Sequence, residues 1–63
     1  MKKYEDLDES IKLELEEVVK SDLYGLNPET LYMNIFHSKG VISALAEIFE
    51  VRASLVRKIK NSI

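Results

Sequence analysis

The sequence predicts an all-helical fold built from four short helices. Apolar residues recur with the helical period of about 3.6 residues in four segments, while no segment alternates apolar and polar residues as a strand does. Asn, Pro and Gly stand where helices would begin or end. With 63 residues, 46% of them hydrophobic, the chain suits one folded domain. We therefore expect a single domain spanning residues 1–63.

The first predicted helix covers about residues 8–20 and is amphipathic and acidic. Its apolar side is formed by four residues: Leu7, Ile11, Leu15 and Val18. Leu13 falls among charged residues on the other side of this helix. An exposed leucine in so small a domain predicts a contact with a second copy of the chain or with another protein.

The second predicted helix covers residues 27–39, and its ends are marked by local signals. Asn27 is a typical N-cap, and Pro28 suits the first helical position, where its missing N–H is not needed. Gly40 is a typical residue after a helix end, and Lys39 in the last turn would favour the negative end of the helix dipole.

The third and fourth predicted helices cover Ile42–Phe49 and Ala53–Asn61, with three residues between them. Two short helices joined so closely must cross at a steep angle. On the fourth helix one side is apolar, formed by Leu55, Val56, Ile59 and Ile63. The opposite side is basic and carries no acid; it consists of Ala53, Ser54, Arg57, Lys58, Lys60 and Asn61.

The segment from Ile42 to Asn61 resembles the helix-turn-helix of bacterial and phage DNA-binding proteins. Ala46 stands where the two helices would cross closely, and Val51 is the turn residue that would fold inward. The remaining apolar positions of the motif are Leu45, Phe49, Val56 and Ile59. Two positions depart from the family pattern: Glu50 replaces the usual glycine, and Arg52 replaces the usual Ser or Thr cap.

The resemblance implies a three-helix bundle with the acidic helix packed across it, and sequence-selective binding of double-stranded DNA. Such a protein would be a small phage or mobile-element transcriptional regulator in the cytoplasm of a bacterial or phage-infected cell. One module offers about 600–1,000 Å² of interface, so we expect a homodimer or a larger protein partner. Base contacts are expected from Arg52, Ser54, Arg57 and Lys58. Phosphate contacts are expected from Lys39, Lys60 and Asn61.

The charge distribution agrees with two differently used halves. Residues 1–33 hold four lysines and nine acidic residues, a net charge of −5, whereas residues 34–63 carry +3. Such an asymmetry indicates one half that meets a partner and one that meets DNA, although two solvated halves would look the same.

Several other functions lack the residues they need. The chain has no cysteine and one histidine, His37, which we expect at an exposed rim. Two glycines cannot form a phosphate-binding loop, and no apolar run would span a bilayer. The aromatic residues are interpreted as core: Tyr24, Tyr32, Phe36 and Phe49. We therefore expect no enzyme, cofactor, metal, membrane or small-molecule substrate.

Two alternatives to a DNA-binding regulator stay open. The acidic first helix could make the chain an interaction module that inhibits or adapts a host protein. The chain could instead be a DNA-positioning subunit of packaging or recombination machinery.

Overall fold

The computed structural model describes residues 3–22, 25–38 and 41–62, and all regular structure in these ranges is helical. This confirms the predicted all-helical fold for the described residues. A single 3₁₀ turn at Tyr4–Asp6 precedes four α-helices: α1 (Glu9–Asp22), α2 (Pro28–His37), α3 (Ile42–Phe49) and α4 (Ala53–Ser62).

The start of α2 follows from its first residues. The Asn27 side-chain oxygen accepts a hydrogen bond from the Thr30 amide at 2.7 Å, which satisfies a donor that the helix itself leaves open. Pro28 is the first residue of the helix. The predicted N-terminal signal is therefore confirmed.

The end of α2 was predicted wrongly. The helix stops at His37, because Ser38 takes an extended backbone (φ −80°, ψ 138°) and its amide donates to the Ile35 carbonyl at 3.3 Å. The predicted roles of Lys39 and Gly40 at this end fall on residues outside the described ranges. The Lys60 ammonium group of α4 donates to the Ser38 carbonyl at the end of α2.

The turn between α3 and α4 has the hydrogen bonds of a Schellman motif. The Val51 amide donates to the Ala46 carbonyl at 3.0 Å, and the Glu50 amide donates to the Glu47 carbonyl at 3.4 Å. Glu50 occupies the left-handed region (φ 53°, ψ 37°), where glycine is usual. Val51 is 7% exposed, which confirms the prediction that it folds inward.

One hydrophobic core receives side chains from all four helices. Leu15 of α1 is fully buried, as are Ile35 of α2 and Ile59 of α4. Each such side chain contributes about 1.5–3 kcal/mol by leaving water. The buried residues are Leu7, Ile11, Leu15, Leu31, Tyr32, Ile35, Leu45, Val51, Leu55, Val56 and Ile59. Ala46, Phe36 and Phe49 are partly buried against them.

The 3₁₀ turn covers the aromatic part of the core. The Tyr4 ring lies against the fully buried Tyr32 ring, with centroids 6.2 Å apart. Burial raises the pKa of Tyr4, and the carboxylates of Glu16 and Glu29 raise it further. The sequence patterns did not predict the turn, and Tyr24 lies outside the described residues.

Candidate nucleic-acid interface

The core determines which side of α4 faces outward. Leu55, Val56 and Ile59 are between 0% and 1% exposed, which confirms them as the apolar side of the helix. The opposite side is open to solvent over Ala53, Ser54, Arg57 and Asn61. A rigid, outward-facing helix with small residues near its start has the shape that the major groove admits.

Arg57 lies in the middle of this outward side. It is four residues from both Ala53 and Asn61 and three from Ser54, so these shorter side chains surround it. Its guanidinium group is exposed and forms no hydrogen bond or ion pair with any described residue. A planar cation with five donors and no competing partner can form paired hydrogen bonds to a guanine edge or to a phosphate.

Lys58 has a partner on α1. Its ammonium group lies 2.8 Å from a carboxylate oxygen of Glu14, and the two side chains are 51% and 30% exposed. The residues are 44 positions apart in the chain, so no local sequence pattern could indicate the pair. Lys58 is thus at the edge of the outward side, where α4 meets the acidic helix.

Lys60 lies on the other edge of α4 and is half-buried. Its hydrogen bond to the Ser38 carbonyl places the ammonium group beside the end of α2. The carbonyl is neutral, so this contact does not neutralise the positive charge of Lys60.

Arg52 lies at the start of α4, beside an open groove between that helix and α1. The groove is lined by Glu14, Glu17, Val18, Ser21, Glu50, Arg52 and Leu55. Three of these residues are acidic, and Arg52 is the one cation among them. The halves that the sequence separates by charge are therefore adjacent in space along this groove.

The remaining predicted contact residues are placed as follows. Leu13 is 56% exposed on α1, as expected from its position in the helical period. Lys39 lies outside the described residues. His37 is exposed, and its ring meets Phe36 edge to face at a centroid distance of 5.0 Å.

Sequence reasoning missed two exposed apolar residues on α3. Val41, just before the helix, is 70% exposed, and Ile48 is 69% exposed. They are seven residues apart, so they lie on the same side of the helix, with Ala44 between them. The spacing of seven residues between Val41 and Ile48 is the sequence signal that could have indicated this stripe.

Two further classes of site are absent from the described residues. No group of three or more His, Asp or Glu side chains there is arranged to hold a metal ion. Nor do the described ranges contain a helix with the length and apolarity that a bilayer crossing requires. Comparison with protein-family models, with curated proteins and with solved structures found no match.

Proposed function

We propose that this protein binds double-stranded DNA selectively through α4. In this proposal α2, α3 and α4 form a helix-turn-helix bundle, with α1 packed across it. The chain would serve as a small phage or mobile-element transcriptional regulator in the bacterial cytoplasm. The observation that carries the proposal is Arg57: an exposed residue whose guanidinium group pairs with no described residue, on a helix side lined by small residues and backed by the core.

The exposed residues of α4 divide into reading and anchoring roles. Arg57 is the first candidate for a base edge, because paired donors distinguish guanine from other bases. Ser54 lies one turn earlier and is the next. Asn61 and Lys60 lie toward the end of the helix and are assigned to phosphates. Of the other candidates for base contact, Lys58 would have to leave the Glu14 carboxylate to reach DNA, and Arg52 lines a groove that also holds three acidic residues.

The decisive experiment compares two substitutions that remove the same charge. A preferred duplex is first selected from random sequence, and binding is then measured by fluorescence anisotropy. Arg57→Ala should weaken binding to that duplex by about 1–3 kcal/mol and relax the preference at one base pair. Lys20→Ala removes a positive charge from the exposed part of α1 and should change affinity by less than about twofold.

Salt dependence gives a second measurement on the same proteins. If about four cations of each chain neutralise phosphates, log K should fall against log salt with a slope near −3.6 per chain. A flat dependence, or equal effects of Arg57→Ala and Lys20→Ala, would contradict the proposal.

We also propose that the chain acts as a homodimer on DNA, because one module offers too small an interface for high specificity. Leu13 is the proposed joining residue, since it is exposed on α1. Sedimentation with and without DNA should show twice the 7.3 kDa chain mass, and Leu13→Glu should abolish that species. Ile48→Glu, at a residue 69% exposed on α3, is the matched control.

One observation favours a second candidate function. The same exposed Leu13 lies on a helix whose carboxylates Glu9, Glu16 and Glu17 are also exposed, a combination that suits a protein partner. If the parent protein binds no duplex at any salt concentration, an interaction module that acts through α1 becomes the better explanation. A role in positioning a larger DNA-processing enzyme would instead preserve DNA binding but require that enzyme for activity.

A further inference from the structure

The outward side of α4 has two edges that differ in charge. On the edge toward α1, Lys58 is paired with Glu14 at 2.8 Å, and Arg52 shares a groove with Glu17 and Glu50. On the edge toward α2, Lys60 donates to the neutral Ser38 carbonyl and forms no ion pair with a described residue. A phosphate group that approaches the first edge meets carboxylates, whereas one that approaches the second meets an uncompensated cation.

The short distance between Lys58 and Glu14 makes the charge difference between the two edges of α4 effective at physiological salt. Charges separated by less than the Debye length of about 8–10 Å are only partly screened. Glu14 is in direct contact with Lys58, so a phosphate brought to Lys58 comes within that range of the carboxylate. To use Lys58, DNA must either break the ion pair or accept this repulsion.

We infer that α1 excludes the DNA backbone from one edge of α4, so that phosphates are bound on the edge facing α2. This inference rests on the proposed DNA binding and adds an orientation to it. Glu14 is the positioning residue: it holds Lys58 out of the set of phosphate contacts. Arg57 remains between the two edges, and Lys60 is the principal phosphate anchor.

The test replaces one carboxylate by its neutral isostere at two positions of α1. Glu14→Gln frees Lys58, and we expect about three- to tenfold tighter DNA binding near 0.1 M salt, with a salt slope steeper by about one. Glu16→Gln makes the same change at an exposed residue two positions along α1, about 200° around the helix from Glu14. It should alter affinity by less than about twofold, because only the long-range, screened part of the effect remains.

Two lysine variants test whether the tighter DNA binding of Glu14→Gln comes from Lys58. In the parent protein, Lys58→Gln should change the affinity and the salt slope little, whereas Lys60→Gln should weaken binding to all duplexes and flatten the slope by about one. In the Glu14→Gln background, Lys58→Gln should remove the whole gain. Circular dichroism of each variant verifies that the helical fold is kept.

The results separate this inference from the proposed function. If the parent binds DNA but Glu14→Gln and Glu16→Gln act alike, the inference is overturned while DNA binding stands. It is also overturned if Lys58→Gln weakens the parent as much as Lys60→Gln does. If the parent fails to bind and Glu14→Gln binds, the exclusion by α1 is supported in its strongest form. If neither binds, both the function and the inference fail.

Discussion

Helices α1 and α4 bury their inner sides in the same core but use their outer sides differently. Leu15 of α1 and Ile59 of α4 are both fully buried. Outside, α1 presents carboxylates and one leucine, whereas α4 presents Ala, Ser, Arg and Asn. The buried sides of the two helices therefore explain the fold, whereas the exposed sides determine what each helix can bind. Those surfaces influence each other where the two helices meet.

The largest effect should come from truncating the core at either helix. Leu15→Ala and Ile59→Ala each remove a fully buried side chain and should lower the free energy of unfolding by about 2–5 kcal/mol. Urea unfolding followed by circular dichroism at low temperature measures both. Leu13→Ala, at a position 56% exposed on the same α1, is the control and should change stability by less than about 0.5 kcal/mol. If Leu15→Ala lowered the free energy of unfolding only slightly while Ile59→Ala lowered it strongly, α1 would contribute little to the stability of the core.

The turn that sets α4 against α3 should yield a smaller change of the opposite sign. Glu50 is left-handed without being glycine, so Glu50→Gly should raise the free energy of unfolding by about 1 kcal/mol. Glu47→Gly, inside α3, should lower it by about the same amount, because glycine is a poor helix former. Thermal unfolding of both variants shows whether each substitution raises or lowers the stability of the fold. Destabilisation by Glu50→Gly would mean that the Glu50 side chain contributes more than its backbone conformation costs.

The ion pair that joins α1 to α4 should contribute still less to stability. Both side chains are partly exposed, and such pairs typically contribute about 0.2–1 kcal/mol. A double-mutant cycle with Glu14→Gln and Lys58→Gln should give a coupling energy in this range, and 1 M salt should reduce it. A coupling well above 1 kcal/mol would make Glu14 a structural residue first and weaken its proposed influence on DNA.

The smallest effect on stability at neutral pH comes from the ionisation of Tyr32 in the aromatic part of the core. Burial, followed by the carboxylate of Asp6, raises the pKa of Tyr32 above its ordinary value of 10.0. Below pH 10 the phenol is neutral in both states, so Tyr32 adds no pH dependence there. Above it the unfolded chain ionises first, and stability should fall as the pH rises toward the folded-state pKa. Tyr32→Phe should flatten this alkaline decline in unfolding experiments from pH 9 to 12, and an unchanged slope would assign the decline to other groups.

Local signals predicted most of the fold. Helix α3 has the bounds expected from its apolar period, and α4 extends only to Ser62 beyond the expected Asn61. Asn27 and Pro28 indicate the start of α2 because the capping interactions involve neighbours in the sequence. Helix α2 ends at His37, before the expected residue 39, and the Ser38 carbonyl that follows accepts a hydrogen bond from Lys60, 22 residues away, which no local signal indicates.

The candidate interface was predicted less completely, because its contacts also join residues that are distant in the sequence. The helical period identifies Arg57, Ser54 and Asn61 as outward-facing, since that depends only on the apolar side of α4. It contains no information on which helix lies beside each edge. The contact between Glu14 and Lys58 requires the packing of α1 against α4, which is a property of the folded chain.

The hydrogen bond from Lys60 to Ser38 has a consequence for the order in which the molecule forms. Helix α2 has its N-terminal cap within reach as soon as it is synthesised, but the donor that closes its C-terminal end belongs to α4. Helix α4 also supplies Leu55, Val56 and Ile59 to the core. A nascent chain that lacks α4 therefore lacks the Lys60 donor at the end of α2 and exposes the apolar surface that α4 covers. We expect cooperative folding only after α4 has left the ribosome.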